Sequence, residues 1–237
     1  MDDKKIFGQT RTIDMSHGID QGLRSYMLNV FNYMAIGLGM TGLTAFALSN
    51  SPEMMAAIWG TGLKWVVMLA PLAMVFFLSF KITSLSFSSA QLLFFIYAGL
   101  MGLSLSSIFM VFTGQSITRV FFITASLFGA MSLYGYTTKR DLTSMGSFLF
   151  MGLIGIIIAS LVNLFLHSSA MQFVISVLGV IIFTGLTAYD VQDIKALYHD
   201  MDASDTMGKK AIIGALRLYL DFINLFISLL QLLGDRR

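Results

Sequence analysis

An all-α, polytopic membrane protein of seven transmembrane helices is the fold class this sequence predicts, and three observations predict it. First, 56% of the 237 residues are hydrophobic and only 12% are charged, with mean hydropathy +0.78. A soluble domain carries about a quarter of its residues charged, so this chain has too few charges to cover a water-facing surface. Second, the apolar residues form long unbroken runs rather than alternating, which argues against a membrane β-barrel. Third, Gly is 21 and Phe is 21 while Pro is only 2, a composition suited to helices packed in lipid. The same balance argues against a soluble enzyme and a disordered chain. A net charge of +2 argues against a nucleic-acid partner. Cysteine is absent, so no disulfide, thiolate nucleophile or Cys-ligated metal is available.

A spanning helix needs about 20 apolar residues, and seven runs qualify or nearly so. Met27–Leu48 comes first. Its length exceeds a signal-peptide core and no small-residue cleavage site follows, so it reads as a retained span. Trp65–Phe80 is short and holds Pro71, which is expected to kink it. Gln91–Phe112 is continuous. Val120–Tyr136 is short. Gly146–Leu166 carries no charge. Met171–Tyr189 has room to run on to about Asp200, since Thr184–Met201 contains no proline and no glycine after Gly185. Ala211–Leu233 is the last. The connectors are short, so residues 26–237 read as one bundle, preceded by a polar tail over residues 1–25. Within that tail and its junction, Met15, Ile19, Leu23 and Met27 recur at four-residue spacing. They read either as a short interfacial helix over Met15–Leu28 or as a plain disordered segment.

Orientation follows from Lys and Arg in the loops. Ten of the fifteen fall on the side of the N-terminus, and Lys64, Arg119, Arg236 and Arg237 fall on the other. Arg217 lies within the last span. The bias places the N-terminus in the cytoplasm and, after seven crossings, the C-terminus outside. Trp59 and Trp65 suit an outer aromatic belt.

Ionisable groups inside spans are costly, and each is a functional hypothesis by default. Two acids stand there: Asp190 near the end of the sixth span and Asp221 near the middle of the seventh. If the sixth helix reaches Asp200, each lies ten residues from the cytoplasmic end, roughly 15 Å at 1.5 Å per residue. Adjacent antiparallel helices then bring the carboxyls face to face. Two unit charges about 4 Å apart repel by roughly 4 kcal/mol at an effective dielectric of 20, so the pair is expected to hold one shared proton and titrate in two steps. Protonated, it clamps two helices; deprotonated, it repels and offers oxygens to a hard cation. The blander alternative leaves Asp190 hydrated at the interface and pairs Asp221 with Arg217. Arg217 lies one turn before Asp221 on the same face. It either pairs with Asp221 or, the favoured expectation, snorkels to the headgroups. Lys81, at the end of the second span, either reaches an aspartate or serves as a positive-inside anchor.

Other patterns carry less. Gly37, Gly39 and Gly42 match a dinucleotide-binding spacing but lie in an apolar run with no strand before them, so they read as sites of close helix packing. His17, His167 and His199 are scattered and give no zinc spacing. Asn163 and Asn224 are expected to hydrogen-bond between helices. An intramembrane aspartyl protease needs small residues before its second aspartate, where this chain has Leu218, Tyr219 and Leu220. An enzyme is therefore not expected. A proton-coupled transporter lacks the expected inverted repeat.

Thr187-Ala188-Tyr189-Asp190-Val191-Gln192-Asp193-Ile194-Lys195 and Leu218-Tyr219-Leu220-Asp221-Phe222-Ile223-Asn224-Leu225-Phe226 resemble the Bax inhibitor-1 family in its bacterial form. Lys139-Arg140-Asp141-Leu142 leading into Ser147-Phe148-Leu149 resembles that family's link between spans four and five. The resemblance implies a seven-helix bundle with the last helix central, in a bacterial inner membrane. It implies a pH-sensitive calcium leak whose sensing aspartates fall on Asp190 and Asp221, with transported Ca²⁺ held only weakly and no resident cofactor. It also implies a basic residue at the end of the second span that latches to the sixth-span aspartate. Lys81 holds that place, where bacterial members carry Arg, and a lysine latch is single-pronged. Finally, some bacterial members resemble modulators of a membrane-anchored ATP-dependent protease, an interaction for which the polar tail is the natural handle.

Overall fold

The computed structural model describes residues 15–82 and 84–237, with side chains from residue 21 onward. Among them are nine helices: α1 Met15–Ser49, α2 Pro52–Trp59, α3 Leu63–Lys81, α4 Phe87–Leu105, α5 Ile108–Val111, α6 Gly114–Thr137, α7 Thr143–Leu166, α8 Ser169–Ala196 and α9 Ser204–Leu233. Seven stretches are long and apolar enough to cross a membrane: α1, α3, α4 with α5, α6, α7, α8 and α9. They correspond one to one with the seven runs predicted. Pro71 sits inside α3 without ending it.

The last helix is the hub. It packs against α1, α4, α6 and α8, and 72% of its most apolar window is buried, against 11% for α3 and α7 at the periphery. Lipid is as apolar as leucine, so packing here rests on close approach and polar contacts rather than on exclusion of water. Glycines supply the first. A Cβ on Gly102 of α4 would lie 2.6 Å from the Thr41 carbonyl of α1, and one on Gly135 of α6 would strike the Ala188 carbonyl of α8. Thr41 supplies the second. Its hydroxyl, 2.6 Å from Tyr219 Oη and 2.8 Å from the Ala98 carbonyl, joins α9, α1 and α4.

Several expectations change. The Met15–Leu28 segment is neither a separate interfacial helix nor a loose one: it forms the first turns of α1. Residues 1–14 of the tail lie outside the described residues. The helix α2 was not anticipated, although Pro52 after Ser51 places proline at its first turn, where a missing N–H costs nothing. The sixth span extends past Tyr189 but stops at Ala196, short of Asp200. A tight turn follows, because Lys210 Nζ donates to the Leu197 carbonyl at 2.8 Å and to Asp202 at 2.6 Å. That satisfies a carbonyl which further helix would otherwise have used.

Candidate functional site

Asp190 on α8 and Asp221 on α9 are both buried, 6% and 5% exposed. Their side chains lie within hydrogen-bonding reach of each other. The depth argument behind this pairing is corrected in detail. Asp190 stands six residues before the end of α8, while Asp221 stands seventeen after the start of α9. They meet because α9 begins with extra turns that overhang the inner end of α8. Asp190 Oδ1 and Asp221 Oδ2 are enclosed and have no hydrogen-bond partner among the described residues. A buried acceptor left unmatched is costly, and a proton or a cation is what would match these two.

One helical turn further toward the end of α8 lies Asp193, which was not predicted as part of the site. Arg217 Nη1 donates to Asp193 Oδ2 at 2.5 Å. Arg217 therefore pairs with Asp193 on the facing helix rather than directly with Asp221. Three residues on from Asp190 and four back from Asp221 keep the same antiparallel register, a relation that shows only once α8 is seen to run on to Ala196. The guanidinium still acts electrostatically on both buried carboxyls.

Lys81 is exposed at the end of α3 and makes no ion pair among the described residues. Its helix packs on α2 and α4 rather than on α8. Asn224 Nδ2 donates to the Leu220 carbonyl of its own helix at 2.8 Å, not to a neighbour as expected. Asn163 does bridge, donating to Gln172 Oε1 at 3.3 Å and accepting from the Ser168 backbone at 2.9 Å.

The link between α6 and α7 is bound to the same end of α8. Gln192 accepts from the Leu142 N–H and donates to the Arg140 carbonyl, each at 2.8 Å, and Lys195 Nζ donates to the Tyr136 carbonyl at 3.0 Å. Asp141 in that link accepts from the hydroxyl and the backbone N–H of Thr143. Both bonds hold its carboxyl below the ordinary carboxylate range.

A cavity of about 990 Å³ runs beside the pair. Residues of α7, α8 and α9 line it, with Leu72 of α3. It reaches from Asp193 and Arg217 at one end to Gln172 and Gln231 at the other. Asp193 and Gln172 are 21 residues apart on α8, roughly 31 Å at 1.5 Å per residue and close to the thickness of a bilayer core. Smaller cavities abut both ends. One of about 290 Å³ shares Tyr189 and Asp193, and one of about 480 Å³ shares Gln172 and Gln231. Among the described residues no three His, Cys, Asp or Glu side chains gather as a metal site. The buried carboxylate oxygens along the cavity are those of Asp190 and Asp221.

A family model described as "Inhibitor of apoptosis-promoting Bax1" matches residues 23–237. The chain is 50% identical over 229 residues to the uncharacterized protein RP147 of Rickettsia prowazekii, covering 95% of this chain and 96% of that one. It is 48% identical over 219 residues to the inner membrane protein YbhL of Escherichia coli, covering 91% and 94%. To an uncharacterized membrane protein of Streptococcus pyogenes, SpyM3_0260, it is 36% identical over 227 residues, covering 91% and 94%.

Proposed function

Since the chain belongs to the Bax inhibitor-1 family, we propose that it is a pH-sensitive calcium leak of a bacterial inner membrane, gated by the carboxyl pair Asp190 and Asp221. The observation that carries this reading is the position of the pair. Two buried, facing carboxyls with unmatched oxygens stand on the wall of a cavity that extends most of the way through the bundle. With one shared proton the pair is a hydrogen bond across α8 and α9. Without it, two like charges about 4 Å apart repel by roughly 4 kcal/mol at an effective dielectric of 20. That is enough to shift a two-state equilibrium about a thousandfold. The charged state also offers oxygens to a hard cation, and two carboxylates without further acidic ligands make a weak site, as a leak requires. The N-terminus faces the cytoplasm, which puts Asp193, Arg217 and the α6–α7 link at the cytoplasmic mouth.

The test is Ca²⁺ entry into dye-loaded liposomes between about pH 6 and 8. Wild-type flux should depend on pH, and Asp190→Asn or Asp221→Asn should flatten the profile. Raising Ca²⁺ should move the wild-type midpoint to lower pH, because the ion favours the form that has lost its proton. Identical profiles in wild type and both variants would defeat the gate. A tail-dependent effect on proteolysis of membrane substrates, with no flux, would favour a modulator of a membrane protease instead.

A further inference from the structure

The carboxyl pair stands toward one end of the long cavity. At the other end is a group the gate does not use. Gln172 of α8 donates through Nε2 to Gln231 Oε1 of α9 at 2.5 Å, and Ser176 Oγ lies 2.7 Å from the same oxygen. Asn163 of α7 donates to Gln172 Oε1 at 3.3 Å. Three amides thus form a chain across α7, α8 and α9, the helices that wall the cavity. Gln172 and Gln231 line both the 990 Å³ cavity and the 480 Å³ cavity beyond it, so the pair sits where the two cavities meet.

We propose that the Gln172–Gln231 amide pair, with Ser176, is a second constriction of the ion path, one that lends neutral oxygens to a passing divalent cation. The proposal rests on the calcium-leak reading and adds a site at the far end of the path. Amide oxygens are hard ligands that replace part of a calcium hydration shell. Carrying no charge, they bind weakly and release readily, which conduction demands. The chain contains no carboxyl. The titratable and charged groups of the outer cavity are His167 and Arg236. The imidazole Nδ1 of His167 lies 3.1 Å from the Phe165 carbonyl, and Arg236 places a positive charge at the mouth, which slows cation approach. The two ends of the path therefore have separate duties: the aspartates set the pH of half-activation, and the amides set throughput and ion preference.

The experiment measures Ca²⁺ and K⁺ flux in liposomes for wild type, Gln231→Leu and Gln231→Glu, with thermal melting as the folding control. Gln231→Leu keeps the bulk and removes the oxygen, so Ca²⁺ flux should fall severalfold at every pH with the midpoint unmoved. Gln231→Glu keeps the shape and adds charge, so the ratio of Ca²⁺ to K⁺ flux should rise severalfold. It also serves if the leucine variant does not fold. A folded Gln231→Leu protein that passes Ca²⁺ at the wild-type rate or faster overturns the constriction, as does an unchanged flux ratio in Gln231→Glu. In either case a pH-dependent wild-type flux leaves the aspartate gate standing. No wild-type flux at any pH overturns both.

Discussion

At the scale of the residue, the centre of the molecule is a cluster of four ionisable groups on two helices. Asp190 and Asp221 face each other with oxygens unmatched, and the Asp193–Arg217 pair sits one turn away. That ion pair is partly exposed, with side chains 34% and 42% accessible. Its net contribution to stability is therefore small, at most about 1 kcal/mol. Its weight falls on the field at the buried pair. Asp141 shows the opposite case, a loop carboxyl one of whose oxygens takes two hydrogen bonds from Thr143. Its folded value is depressed by Thr143, so its stabilising contribution is present at neutral pH and is lost as pH falls through that depressed value. Asp141→Ala should lower Tm in detergent at pH 7, and the gap from wild type should narrow below about pH 3.9. A gap that widens in acid would contradict this.

At the scale of the element, α8 is a helix held on three sides. It meets α9 through the carboxyls, α7 through Asn163 and the packing of Gly152 on Ile182, and α6 through Gly135. Substituting Gly135 tests the last of these. Gly135→Ala drives a methyl into the Ala188 carbonyl, two residues before Asp190, and should cost about 1–3 kcal/mol of stability. Gly129→Ala on the same helix meets nothing within 4 Å and should be neutral or stabilising by up to about 1 kcal/mol. Chemical denaturation in mild detergent distinguishes the two, and equal effects would show that close packing at Gly135 is not what matters. These elements differ in how far they were legible. Long apolar runs located every span, because the bilayer makes hydropathy the dominant signal. The two aspartates stood out because charge inside a span is rare. Asp193 was hidden by position: it lies beyond the apolar run, and only the true end of α8 reveals that it still faces α9. Gln172 and Gln231 were hidden by chemistry, since an uncharged amide near a span end breaks no rule of cost.

At the scale of the whole molecule, α1, α4, α6 and α8 pack on one central helix while α3 and α7 lie further out, and the distribution of Lys and Arg predicts how the spans are oriented. The absence of cysteine makes the orientation directly testable. Lys5→Cys and Arg237→Cys each introduce a single thiol. In intact cells a membrane-impermeant maleimide should label Arg237→Cys and should reach Lys5→Cys only after lysis. The reverse pattern would invert the bundle and place the amide constriction, not the aspartates, toward the cytoplasm.

The central helix is also anchored at both extremities. At one, Lys210 is tied to Asp202 and to the Leu197 carbonyl, and Lys209 donates to the Leu85 carbonyl. At the other, Arg119 donates to the Leu233 carbonyl and pairs with Asp235, whose own carbonyl accepts from Thr113. In mechanical terms α9 is an axle seated in two bearings, while α3 and α7, only 11% buried, are loosely mounted panels. If charge on the carboxyl pair strains the axle, as the proposed gate requires, that strain relaxes where least contact is lost, at the panels. Phe148, Ile154 and Phe165 on the outer face of α7 are all exposed, so in a bilayer that face rests against acyl chains. On that reading the stiffness and thickness of the surrounding lipid are part of the spring against which the proposed gate works.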